Sequence, residues 1–144
     1  MIRLLDVNVL IALLDARHVA HEAAHRWFSS ERHHGWATCP LTQNGFIRIV
    51  SGPRYGFRSG SPAQAVEVLK DLIRAADHVF WPDDLGLAES PLIDPTALRT
   101  SGQITDSYLL ALAVSRGGEL ATFDRRLSTG AVRGGAAALH MIPA

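Results

Sequence analysis

The apolar run Ile2–Leu5 stops at Asp6 and resumes at Val7, so one carboxylate is bounded on both sides by residues that belong in a core. An acid placed this way is a poor solvated surface group, and burying it without partners is costly. A short buried strand that reaches the edge of a sheet at Asp6 meets this constraint. Val7–Leu14 is apolar except for Asn8 and predicts a short, mostly buried helix after that strand.

The rest of the chain repeats the alternation. Val19–Ser29 predicts an amphipathic helix, with Val19, Ala20, Ala23, Ala24, Trp27 and Phe28 on one half. Gly35–Cys39 predicts a second strand, closed by Pro40. Leu41–Val50 predicts a helix whose apolar part is Phe46, Ile47, Ile49 and Val50, stopped by Ser51-Gly52-Pro53. Arg54–Gly60 is a basic, glycine-containing loop. Ser61 as N-cap and Pro62 at the first position open a helix to about Ala75, with Ala65, Val68, Leu69 and Leu72 inward. His78–Trp81 predicts a third strand, and Pro82–Pro95 is turn-rich. Thr105 is expected to cap a helix over Asp106–Ser115, ended by Gly117-Gly118. Glu119–Phe123 predicts a fourth strand, Gly130–Gly135 a loop, and Ala137–Ile142 a last edge strand. Strands that alternate with helices imply an α/β fold with a central, mostly parallel sheet covered on both faces. At 144 residues this is expected to be a single domain, residues 1–144.

The totals exclude several classes. At 47% hydrophobic and 19% charged, the chain can bury a core and is not a disordered tail. A formal net charge of zero excludes a strongly basic nucleic-acid-coating protein, but not a local basic patch. A single cysteine, Cys39, leaves no internal disulfide and fits a reducing compartment, where it reads as a small buried hydrophobe. No signal peptide is evident and no apolar run is long enough to span a bilayer, so a soluble cytoplasmic protein with no membrane partner is expected.

Ligands gather beyond the carboxyl ends of strands in open parallel sheets. Asp6 follows the first predicted strand and Asp124 the fourth, while Asp106 opens a helix, whose N-terminus favours an ionised carboxylate. Taken singly, Asp106 reads equally as a helix-start residue and Asp124 as a turn residue. Together the three form a set that would repel itself unless a hard divalent cation, which prefers oxygen ligands, joined it. Asn8 and Thr122 lie beside them in the chain and are expected to orient carboxylates or water.

Leu5-Asp6-Val7-Asn8-Val9-Leu10, Ile104-Thr105-Asp106-Ser107-Tyr108-Leu109 and Thr122-Phe123-Asp124-Arg125 resemble the best-marked motifs of PIN domains. The similarity is closest to the VapC toxins of bacterial toxin–antitoxin modules and covers essentially the whole chain. The resemblance implies a PIN-like three-layer α/β/α sandwich and a type II toxin that hydrolyses RNA phosphodiester bonds with a metal-activated water. It implies Mg2+ or Mn2+ held by Asp6, Asp106 and Asp124, a cognate VapB-type antitoxin, and a homodimer. The family also has a glutamate on the helix after the second strand, where this chain reads Pro40-Leu41-Thr42-Gln43-Asn44. Gln43 aligns with that glutamate, with Asn44 as the near alternative. An amide offers a carbonyl oxygen but no charge, which leaves three negative charges and leaves open one metal or two. The alternative is a PIN-like module that binds RNA or a protein without efficient cutting.

His21-Glu22-Ala23-Ala24-His25 matches the H-E-x-x-H pattern of zinc proteases. The two histidines fall on the polar half of an amphipathic helix and no third ligand is apparent, so a solvated face is expected instead. His18, His78 and His140 show no partner in the sequence. Arg48, Arg54, Arg58, Arg99, Arg125 and Arg126 are candidates for RNA phosphates, with Arg125 and Arg126 foremost because they adjoin Asp124.

Overall fold

The computed structural model describes residues 1–55, 60–75 and 77–144. Five strands form one sheet: β1 (Arg3–Leu5), β2 (Trp36–Thr38), β3 (His78–Phe80), β4 (Glu119–Thr122) and β5 (Leu139–Met141). Their order is β3-β2-β1-β4-β5, and every pairing is parallel. Among the described residues six α-helices accompany them: α1 (Val7–Leu14), α2 (His21–Glu31), α3 (Pro40–Val50), α4 (Pro62–Arg74), α5 (Ile104–Ser115) and α6 (Gly135–Ala138). The expected three-layer α/β/α arrangement is therefore present.

Alternation along β1 explains the layers. Leu5 faces one core with α1, α2, α3 and α4, whereas Leu4 faces a second core built mainly by α5 and β4. Buried on both faces, the central strands have no polar side to offer water, which is why they read as plain apolar runs. Helix α5 is buried from Ser107 to Ala113 and so lacks a clean amphipathic pattern. Glycine is required where α5 turns into β4. Gly117 adopts φ +67°, and a Cβ on Gly118 would lie 2.5 Å from the Ile2 carbonyl oxygen and 2.8 Å from the Trp81 ring. No helix among the described residues is long and apolar enough to cross a membrane.

Several local expectations are corrected. Helix α5 starts at Ile104, not at a Thr105 cap. Thr100 instead caps a preceding 3-10 turn, Ser101–Gln103, and the Gln103 side chain bonds back to the Thr100 N–H. Helix α2 begins at His21, leaving Val19 fully exposed rather than on its apolar face. Ser61 occupies the N-cap position of α4 without a side-chain cap bond. Ile49 is exposed on α3. Strand β4 ends at Thr122, and the last strand is shortened because Gly135–Ala138 forms α6 before it. The predicted basic loop Arg54–Gly60, with Arg58, falls largely outside the described residues.

The histidines are not idle. His18 Nδ1 accepts from the Ala20 amide at 3.0 Å, His78 Nε2 meets Thr38 Oγ1 at 2.7 Å, and His140 Nε2 accepts from Trp27 Nε1 at 2.9 Å. Nor are His21 and His25 merely solvated: each contacts a backbone carbonyl near the end of α1.

Candidate functional site

Strand order decides where a site can form. From β1 the chain moves outward through β2 to β3, then crosses back to pair β4 on the other side of β1. Beyond the carboxyl ends of β1 and β4, the two connections leave in opposite directions and open a crevice. Asp6 directly follows β1, and Asp124 lies two residues past the end of β4.

Asp6 is 7% exposed and serves as the N-cap of α1. Its Oδ1 accepts from the Val7 amide at 2.7 Å, and its Oδ2 accepts from Thr122 Oγ1 at 2.8 Å and from Asn8 Nδ2 at 3.4 Å. Burial raises its pKa; the bonds from Thr122 and Val7 work against this, and the charge of Asp124 adds to it.

Thr122 is the hub. Its hydroxyl has one proton and two lone pairs. Asn8 Nδ2 and the Asp124 amide each donate to it at 3.0 Å. With both lone pairs taken by N–H donors, the proton goes to Asp6, a bond that favours the ionised carboxylate against the burial that opposes it. The Asn8 carbonyl oxygen accepts from the Phe123 amide at 3.2 Å, tying α1 to the end of β4 a second time.

Asp106 stands in the first turn of α5, half-buried. Burial, followed by the charges of Asp6 and Asp124, pushes its carboxyl up to about 6. The three aspartates therefore share one electrostatic neighbourhood. Asp124 Oδ1 accepts from the Arg126 amide at 2.9 Å, which fixes the turn after β4. Ser107, next to Asp106, was not singled out from sequence; it is fully buried and its hydroxyl has no partner among the described residues.

Gln43 belongs to a different local network. Its Nε2 donates to Thr38 Oγ1 at 2.9 Å, and Thr38 in turn reaches His78. Arg125 and Arg126 are exposed beside Asp124 and form no ion pair among the described residues. Arg48 sits apart from them, in the last turn of α3, lining a surface groove with Arg54 and Tyr55. Arg99 is exposed just before the 3-10 turn that leads into α5.

Among the described residues no three His, Cys, Asp or Glu side chains are gathered closely enough to form a ready-made cation cage. The donor set nevertheless fits a hard cation in its chemistry: all donors are carboxylate oxygens, and their mutual repulsion is what a divalent charge offsets.

A PIN domain model matches residues 3–132. Ribonuclease VapC44 of Mycobacterium tuberculosis is 45% identical over 131 residues, covering 91% of this chain and 92% of that protein. Ribonuclease VapC39 of the same organism is 44% identical over 134 residues, 93% of this chain and 96% of that protein. Ribonuclease VapC38, also from M. tuberculosis, is 39% identical over 126 residues, 88% and 87% of the two chains.

Proposed function

The chain belongs to the PIN-domain family, and from that premise we propose that it is a VapC-type toxin: an endoribonuclease that hydrolyses RNA phosphodiester bonds at Asp6, Asp106 and Asp124. PIN-domain ribonucleases of this type depend on a divalent metal, and Mg2+ or Mn2+ suits the all-carboxylate donors of this site. The observation that carries the reading is the shared neighbourhood of the three aspartates at the switch point of the sheet, in which burial, and then Asp6 and Asp124, raise the pKa of Asp106.

When bound, the cation supplies positive charge at the phosphodiester and promotes ionisation of the attacking water. The chain's own residues do the rest. Thr122 and Asn8 aim Asp6, and the Thr122 bond favours its charged form. The α5 N-terminus favours the charged form of Asp106 against the repulsion around it. Arg125 and Arg126 flank Asp124, where their exposed guanidinium groups can bind RNA phosphates. Arg48, in its separate groove, extends that path to a flanking segment. Gln43 contributes through its link to Thr38 at the neighbouring strand end.

Two partners belong to the same proposal. A VapB-type antitoxin would hold the toxin inactive. A homodimer would cover apolar side chains that α3 and α4 leave in water, Ile49 and Val66. The site of action is the cytoplasm, where the RNA is.

The test is RNA cleavage by purified protein with Mg2+ or Mn2+, its loss on chelation, and its loss in Asp6→Asn and Asp106→Asn. Equal cutting by Asp6→Asn protein sinks the assignment. One observation favours a second reading, a module that binds RNA or protein without efficient cutting: the segment Pro40-Leu41-Thr42-Gln43-Asn44 carries no acid. Growth arrest on expression, relieved by Asp106→Asn, supports the enzyme. Equal toxicity of the two proteins, or none from either, supports the binding module.

A further inference from the structure

The H-E-x-x-H stretch has no part in the ribonuclease site, yet its histidines are held in a specific way. His21 and His25 lie four residues apart on α2, on one face of the helix. His21 Nδ1 is 2.8 Å from the Ala12 carbonyl oxygen, and His25 Nε2 is 2.9 Å from the Leu13 carbonyl oxygen. These carbonyls lie in the last turn of α1, where they have no partner within the helix.

A carbonyl oxygen can only accept, so each of these ring nitrogens must carry the proton. That fixes both neutral tautomers. The lone pairs are then on His21 Nε2 and His25 Nδ1. The rings stand 4.4 Å apart between centroids, tilted 62°. His25 is exposed and His21 half-buried, so the pair can be reached from solvent. A backbone carbonyl behind each imidazole is the support that orients metal-ligating histidines.

We propose that His21 Nε2 and His25 Nδ1 form a two-histidine site for a borderline divalent transition cation, with Zn2+ as the probe, distinct from the hard-cation site at the aspartates. Imidazole selects Zn2+, Ni2+ or Cu2+ over Mg2+. No third His, Cys, Asp or Glu joins the pair among the described residues, so water completes the coordination sphere. A catalytic zinc protease needs three protein ligands, so the site is not a protease centre. The cation polarises both rings and strengthens their N–H bonds to Ala12 and Leu13. Occupancy therefore tightens the junction of α1 and α2, at the opposite end of α1 from Asp6.

The test uses the full chain without a polyhistidine tag, in excess Mg2+, titrated with Zn2+ against a chromophoric chelator. The wild type is expected to bind Zn2+ and gain in Tm. His21→Gln and His25→Gln, whose side-chain N–H groups can still reach the carbonyls, should each weaken binding by about tenfold or more. His33→Gln/His34→Gln removes the other close pair of rings, 3.9 Å apart, and should bind as the wild type does. Retained binding in His21→Gln/His25→Gln, or loss in His33→Gln/His34→Gln, overturns the proposal. If the variants fail to fold, imidazole 15N spectra of the wild type decide. Zn2+ must move His21 Nε2 and His25 Nδ1 and leave their partner nitrogens protonated; shifts confined to other histidines refute the site.

Discussion

Asp106→Asn should make the metal-free protein more stable while it destroys the nuclease. The folded protein raises the Asp106 carboxyl from 3.8 to about 6, first by burial and then through Asp6 and Asp124. At about 1.4 kcal/mol per pH unit, that displacement is worth at most roughly 3 kcal/mol. The side chain is only half-buried, so solvent screening reduces this to about 1–2 kcal/mol. The sign follows from linkage. A carboxyl whose pKa is higher when folded binds its proton more tightly in the native state, so stability falls as pH rises. The penalty is absent below about pH 4, grows until about pH 6, and is full above it. Asparagine keeps the shape and never ionises. In chelator at about pH 7.5, Asp106→Asn should therefore melt roughly 2–8 °C above the wild type, given about 2–4 °C per kcal/mol for a chain of this size. The gap should close when both proteins are melted at about pH 4. Adding Mn2+ should raise the wild type toward or past the variant, because binding to the folded state offsets the repulsion only where all three acids remain. A variant no more stable than the wild type at neutral pH, or a gap unchanged in acid, would refute the shared-charge account of the site.

Thr122→Val removes the hydroxyl that serves Asp6, Asn8 and the Asp124 amide together. Urea unfolding should show a loss of about 2–3 kcal/mol, with cleavage falling further than in Thr122→Ser; an unshifted midpoint would mean that the hub does not exist in solution. Gly118→Ala forces a Cβ against the Ile2 carbonyl and the Trp81 ring, and should cost about 2–3 kcal/mol in the same assay, whereas a neutral result would refute the close approach of the turn to β1. Gln43→Glu adds a negative charge but cannot donate the N–H that Gln43 gives to Thr38. It should cost about 1 kcal/mol of stability and, if its carboxylate turns toward the aspartates, tighten Mn2+ binding by calorimetry; unchanged affinity places Gln43 outside the site.

What was legible in the sequence was local. Helix α1 runs over the predicted Val7–Leu14 because an aspartate bounds it at each end, Asp6 accepting from Val7 and Asp15 closing the last turn. The α5 boundary was missed although its signal was present. Thr100-Ser101-Gly102-Gln103 is a capping box, and it moves the start of helical geometry ahead of Thr105. The histidine partners had no signal at all. Trp27–His140, separated by 113 residues, and Thr38–His78, by 40, are products of sheet order and leave no local trace.

The site divides along the same line. That Asp6 and Asp124 sit at strand ends was readable from the apolar runs before them. That they meet was not, because it depends on β4 pairing with β1 rather than adding outside β3. Gln43 shows why motif alignment alone is insufficient. Its position follows β2, whose neighbours are β1 and β3, and its amide engages Thr38 and through it His78 on β3. A glutamate there would take the one Thr38 proton, so His78 would have to donate to Thr38 from its Nε2 tautomer. Glutamine satisfies Thr38 and His78 together. In this chain the uncharged Gln43 is thus part of a hydrogen-bond chain to β3, so Gln43→Glu should trade order at β3 for an added negative charge. Hydrogen exchange at the β3 amides, measured beside the Mn2+ titration, separates those two effects.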